Sequence, residues 1–204
     1  MTTGDLEKAR RAGRLQILAV FALFAVPLAA AIILYLSGWH PATINYGRLV
    51  TPARPIRPVM LTELDRPGQF LFSKLYGKWL LVYFSGGECG PACVDALYKM
   101  RAMALFQGEN AHRVRRVLVF QTPPRHARIA TLVQEFPGLR ILGGRPRQVH
   151  ELAVQFSRHG TLTQRGVVNI VDPLGNWMMT YPPDADARWM RKDLSRLLSV
   201  SQIG

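Results

Sequence analysis

Apolar residues in this chain fall into two long runs and several periodic stretches. The first run, Leu15 to Leu36, is 22 residues without a charge. As a helix rising roughly 1.5 Å per residue it would be about 33 Å long, enough to cross a bilayer, and Pro27 inside it is tolerable in that setting. The second, Trp79-Leu80-Leu81-Val82-Tyr83-Phe84, has the length and the aromatic and β-branched content of a central strand buried on both faces. Ser85-Gly86-Gly87 ends it. Beyond that break Cys93, Leu97, Met100 and Met103 recur at three and four, which predicts a helix packing one face on a sheet.

The remaining pattern alternates between strand-like and helix-like segments. Leu61, Leu64, Phe70 and Phe72 around Arg66-Pro67-Gly68 predict a short hairpin, and Leu75-Tyr76-Gly77-Lys78 a turn before the central strand. Val114 to Gln121 is a second β-rich run, closed by Thr122-Pro123-Pro124. Helical spacing follows over Arg125 to Phe136, stopping at Pro137-Gly138, and again over Arg145 to Phe156, with a short strand at Leu139 to Leu142 between them. Val167 to Val171 and Trp177 to Tyr181 flank the turn Asp172-Pro173-Leu174-Gly175-Asn176 and read as a hairpin. Ala185 to Leu198 closes the chain as an amphipathic helix through Trp189, Leu194, Leu197 and Leu198. Such an order predicts a mixed sheet covered by helices. Residues 37–58, with Pro41, Pro52, Pro55 and Pro58, show neither periodicity and read as an extended, semi-rigid stalk.

Charge gives the first run a direction. Lys8, Arg10, Arg11 and Arg14 crowd the short N-terminal side, and the next basic residue after the run is Arg48. By the positive-inside rule residues 1–14 are cytoplasmic, 15–36 span the membrane and the rest is exported. A cleaved signal sequence with Ala29-Ala30-Ala31 as its small-residue site is the rival; signal h-regions run about 7–15 residues, and here Ile32-Ile33-Leu34-Tyr35-Leu36 prolongs the apolar run. The chain carries 26 Lys and Arg against 13 Asp and Glu, a net charge of +13. A balance of that kind suits nucleic acid, but no RNA- or DNA-reading motif appears, and an exported domain would sit beside anionic lipid instead. A basic surface there favours the membrane or an acidic partner.

Both cysteines, Cys89 and Cys93, lie where the central strand gives way to its helix. The spacing puts Cys89 in the turn and Cys93 in the first helical turn, close to backbone N–H groups without intrahelical partners and to the positive end of the helix dipole. Both features favour a thiolate, and Glu88 opposes it. Thiol exchange would use Cys89 as the accessible attacking thiolate and Cys93 to resolve the mixed disulfide. A pair of buried apolar cysteines is the competing reading. His40, His112, His126 and His150 share no spacing with each other or with the cysteines and read as solvated surface. No paired carboxylates, phosphate-cradling glycine loop or serine nucleophile motif is present.

A strand, a turn-borne cysteine pair at a helix start, alternating β/α units and a terminal hairpin and helix resemble the thioredoxin fold. The three-residue spacer in Cys89-x-x-x-Cys93, with Gly77-Lys78, Phe84 and Asp172-Pro173-x-Gly175, is similar to the Sco/SenC family of membrane-anchored proteins that help assemble cytochrome c oxidase. The resemblance covers roughly residues 59 to 198. It implies an α/β, thioredoxin-like mixed sheet over residues 59–204, preceded by a single N-terminal transmembrane helix and the 37–58 stalk. It further implies a protein of the bacterial inner membrane, its domain in the periplasm, working with an oxidase subunit or another redox or copper-assembly protein. A thiol-disulfide oxidoreductase is one form of that activity. Copper is the cofactor the family implies, held by Cys89, Cys93 and a histidine nine residues before the Asp-Pro proline. Here that position is Gln164, and the nearest histidine is His159. Two soft thiolates suit Cu(I), but a glutamine amide is a poor third donor, so the resemblance favours dithiol chemistry over a copper chaperone. A thioredoxin scaffold retained for docking alone, its cysteines locked together, is the third reading.

Overall fold

A computed structural model describes residues 3–37, 45–66, 68–157 and 166–203. The chain divides into two compact units, residues 1–44 and 45–204. In the first, helix α1 (Thr3–Leu36) contains Pro27, and its Gln16–Leu36 portion of 21 residues is apolar and long enough to cross a membrane. Phe21, Phe24 and Ile33 along it are exposed. A helix apolar on all sides suits a lipid surround, so this segment can serve as a membrane anchor or as a signal sequence.

The second unit is built on one eight-stranded mixed sheet. Its strands are β1 (Arg48–Pro55), β2 (Met60–Glu63), β3 (Gln69–Leu71), β4 (Trp79–Ser85), β5 (Val114–Phe120), β6 (Leu139–Gly143), β7 (Val168–Val171) and β8 (Asn176–Tyr181). The helices are α2 (Pro91–Leu105), α3 (His126–Glu135), α4 (Pro146–Gln155) and α5 (Ala187–Val200). Spatial order is β1-β8-β7-β4-β5-β6-β2-β3. β4, β5 and β6 run parallel, joined by α2 and α3, while β7 and β8 return antiparallel as the expected hairpin.

β4 is buried at all seven positions, as its unbroken apolar run requires. Side-chain alternation divides it between two cores. Trp79, Leu81 and Tyr83 join Leu97, Met100, Leu132 and Leu194 on the face covered by α2, α3 and α5. Leu80, Val82 and Phe84 join Val149, Leu152, Phe156 and Trp177 under α4.

The stalk expected over 37–58 is corrected at its C-terminal half. Arg48–Pro55 forms β1, antiparallel to β8, and residues from Asn45 belong to the folded unit. Alternation is invisible there because the register shifts between Leu49 and Arg54 and every residue from Thr51 to Pro55 is exposed. Pro52 and Pro55 are compatible with a strand because β1 is at the sheet edge, where a missing N–H costs no ladder bond. Residues 38–44 of the proposed stalk lie outside the described residues.

Gly77 and Asp172-Pro173-Leu174-Gly175 meet at the amino end of β4. The Gly77 amide donates to the Pro173 carbonyl at 2.8 Å, the Ile56 amide donates to the Gly175 carbonyl at 2.9 Å, and Tyr76 Oη donates to the Ile56 carbonyl at 2.7 Å. Gly175 has φ +88°, and a Cβ there would lie 2.5 Å from the Tyr76 ring, so only glycine fits. Burial, helped by the charge of Asp172, raises the Tyr76 hydroxyl above its ordinary range. This corner is structural, and the cysteines lie beyond the other end of β4, about 20 Å away for a strand of this length.

Candidate functional site

The site begins where β4 runs out. Gly86 to Gly90 form the loop, Gly90 is the N-cap of α2, and Pro91 occupies the first helical position, where its missing N–H is no loss. Cys93 follows in the first turn, its amide donating to the Gly90 carbonyl at 2.9 Å. Cys89 is the one non-glycine residue with positive φ, at 43°, among the described residues. That left-handed turn is uncommon for a side chain with a Cβ and merits a functional question. Cys89 and Cys93 are joined in a disulfide, with Cα atoms 5.1 Å apart.

Both sulfur-bearing residues are buried, Cys89 at 2% and Cys93 at 4% exposure, within the core that also holds Leu97, Phe120 and Leu132. The expectation of an accessible Cys89 is therefore corrected: the flanking glycines do mark a loop, but the cross-link to a helix facing the sheet turns the side chain inward. The disulfide is close-packed and loop-borne at once.

The β5–α3 loop supports the cysteine loop from the side. Gln121 N donates to the Ser85 carbonyl at 2.8 Å, and a Cβ on Gly87 would come within 2.9 Å of the Pro123 carbonyl oxygen. Arg125, the N-cap of α3, pairs with Glu88 at 3.6 Å on the open surface. Its guanidinium partly offsets the acid expected to disfavour a thiolate. Arg128, one turn into the same helix, donates from Nη2 to the Cys89 carbonyl at 2.7 Å, and its Nε is buried without a hydrogen-bond partner. Sequence reasoning missed Arg128. The usable signal was topological, since successive βα loops of parallel strands gather at one edge of the sheet.

The histidines behave as surface groups where they are described. His112 Nδ1 makes a 2.5 Å contact with the Glu109 carbonyl of its own turn, while His126 and His150 are exposed. Among the described residues no three His, Cys, Asp or Glu side chains group as a metal site. His159, Gln164 and His40 lie outside the described residues.

A parallel strand core with an antiparallel terminal hairpin, and a cysteine pair where the central strand meets its helix, define a thioredoxin-fold protein with a CxxxC disulfide. The chain belongs to the transmembrane-like, thioredoxin-like C-terminal domain family, which matches residues 79–201. No curated protein matches it in sequence. Among solved structures it is similar to copper-bound ScoI of Arabidopsis thaliana, with 23% identity and TM-score 0.60 over 70% of this chain and 97% of that one. Apo Sco1 of Thermus thermophilus is similar at 21% identity and TM-score 0.61, covering 77% of this chain and 99% of that one. So is BsSco, a member of the Sco family of cytochrome c oxidase assembly proteins with an identified disulfide switch, at 14% identity and TM-score 0.57 over 74% and 96%. At these identities the likeness is one of fold.

Proposed function

We propose that this chain is a membrane-anchored thiol-disulfide exchange protein of the Sco type that serves respiratory oxidase assembly through Cys89 and Cys93. The observation carrying this reading is the disulfide at the junction of β4 and α2, seated in a glycine-rich loop. Support comes from the fold shared with an oxidase assembly protein that has a disulfide switch. Exchange needs a thiolate to approach a sulfur in line, and burial of both cysteines makes opening of the 86–90 loop part of the reaction. A partner engaging the loop would supply that opening.

The test is a redox titration of the full-length protein in detergent, with thiol trapping at each poise. One two-electron transition is expected. A pair that stays oxidised at every poise would leave the docking scaffold as the surviving reading.

The second reading is a copper chaperone, favoured by the copper-bound ScoI of the same fold. Copper would be cargo, taken by the reduced pair. Two thiolates four positions apart are soft donors suited to Cu(I); the third ligand is not identified, Gln164 standing where the family resemblance implies a histidine and His159 being the nearest histidine in sequence. Competition with a Cu(I) chelator separates the two readings. Gln164→His is expected to tighten binding at least tenfold, about 1.4 kcal/mol, and His159→Ala to do little. Chaperone-like affinity in the unaltered protein, lost on His159→Ala, would put the copper reading first.

The anchor is proposed to run N-terminus inside, with the folded unit in the periplasm of a bacterium. Four basic residues precede the span within seven positions, Lys8 to Arg14. A C-terminal reporter active only outside the cytoplasm should be active; activity of a cytoplasm-only reporter would reverse the topology.

A further inference from the structure

We propose that Arg128 sets the redox preference of the Cys89–Cys93 pair by stabilising negative charge on the Cys89 sulfur. This inference rests on the thiol-exchange reading. Three observations converge on it. Nη2 of Arg128 is 2.7 Å from the carbonyl oxygen of Cys89 itself, which places a full positive charge within one residue's span of Sγ. The Nε of the same guanidinium is buried and has no acceptor. None of the ion pairs among the described residues matches its charge: Glu88 is taken by Arg125, and Asp95 on α2 by Lys99 at 2.9 Å.

Reduction creates a negative charge in the residue whose carbonyl Arg128 already holds, and a guanidinium charge matched by no carboxylate among the described residues favours that charge. In exchange with a partner dithiol, a partner thiolate attacks Cys89 Sγ, the Cys89–Cys93 bond breaks, and Cys93 leaves as thiolate. The second partner thiol, as thiolate, then attacks the partner sulfur of the mixed disulfide and Cys89 leaves as thiolate. Two electrons and two protons pass to the cysteine pair, and the partner becomes a disulfide. Arg128 acts where Cys89 carries the charge, both as leaving group here and as nucleophile in the reverse direction. Its bond to the carbonyl is available in both redox states and by itself favours neither. The charge distinguishes them.

The experiment measures the equilibrium constant of full-length protein in detergent against a glutathione buffer at pH 9, above the ordinary thiol value of about 8.5. Arg128→Gln keeps a donor for the carbonyl and removes the charge; Arg128→Met removes both; Arg128→Lys keeps the charge. Gln and Met are expected to lower the constant for reduction about tenfold, about 30 mV more negative, and Lys to restore most of it. Thermal unfolding of the oxidised Gln variant should match the unaltered protein. If Gln leaves the constant unchanged, or if Lys falls as far as Gln, the inference is overturned. Should the unaltered disulfide resist every dithiol, the exchange reading fails, and this inference with it.

Discussion

Cys93→Ser is expected to convert a transient exchange into a stable covalent one: the Cys89 thiolate attacks a disulfide-bonded peptide, one peptide sulfur leaves as thiolate, and the protein stays joined to the peptide through Cys89. Cys89→Ser should trap far less. Burial does not separate the two sulfurs, at 2% and 4% exposure, so the difference has to come from how each is held. Cys93 sits in the first turn of a 15-residue helix, its amide 2.9 Å from the Gly90 carbonyl. Cys89 sits in the loop, in a left-handed conformation, its amide 3.4 Å from the Gly86 carbonyl. Opening the loop moves Cys89 and leaves Cys93 on its helix. Resolution by Cys93 normally empties the mixed disulfide, and serine cannot perform it. The adduct is read on a non-reducing gel; equal trapping by both single variants would show that the assignment of attacking and resolving roles is wrong.

Periodicity carried the fold because each β/α unit has its own unambiguous pattern. The unbroken run Trp79 to Phe84 could only be a strand buried on two faces, and spacing at threes and fours set the helix behind it. The family-like Gly77 and Asp172-Pro173-x-Gly175 were equally legible, but their use was not. They meet each other at a structural corner, which requires knowing that β4 and the β7–β8 turn are neighbours. Edge strand β1 was hidden for a related reason: a strand with one covered side, a register shift and two prolines has no period to read.

The site was half legible. A cysteine pair four positions apart marks chemistry, and the glycines mark a loop, but neither says which way a side chain points. Long-range partners are the harder gap. Arg128 reaches Cys89 across 39 positions of sequence, and Asp193 reaches Gly47 across 146. A charged residue on an amphipathic helix reads as solvated surface unless the segment packed against it is known. For Asp193 that reading is reversed, since the residue is 1% exposed.

Asp193→Ala is accordingly expected to destabilise the folded unit by about 3–5 kcal/mol, since three donors would lose their acceptor at roughly 1–3 kcal/mol each, partly offset by no longer burying a carboxylate. Oδ2 of Asp193 accepts from Tyr46 N at 2.8 Å, Gly47 N at 2.9 Å and Tyr181 Oη at 3.1 Å. These bonds tie the start of the folded unit to β8 and α5, and alanine would leave two amides and a phenol without their acceptor. At about 2–4 °C per kcal/mol for a unit of this size, the melting temperature should fall by roughly 6–20 °C. The same network makes a second readout. Burial first, then the charge and hydrogen bond of Asp193, push the Tyr181 hydroxyl far above its ordinary value of 10.0. Because the folded state holds the proton more tightly than the unfolded chain, this stabilisation is complete below the unfolded value of about 10. It is lost as pH rises beyond that, at about 1.4 kcal/mol per pH unit. Tyr181→Phe should flatten this alkaline loss. A drop under about 3 °C for Asp193→Ala, with an unchanged alkaline slope for Tyr181→Phe, would mean that the ladder to β8 and packing hold β1 to the domain without this network.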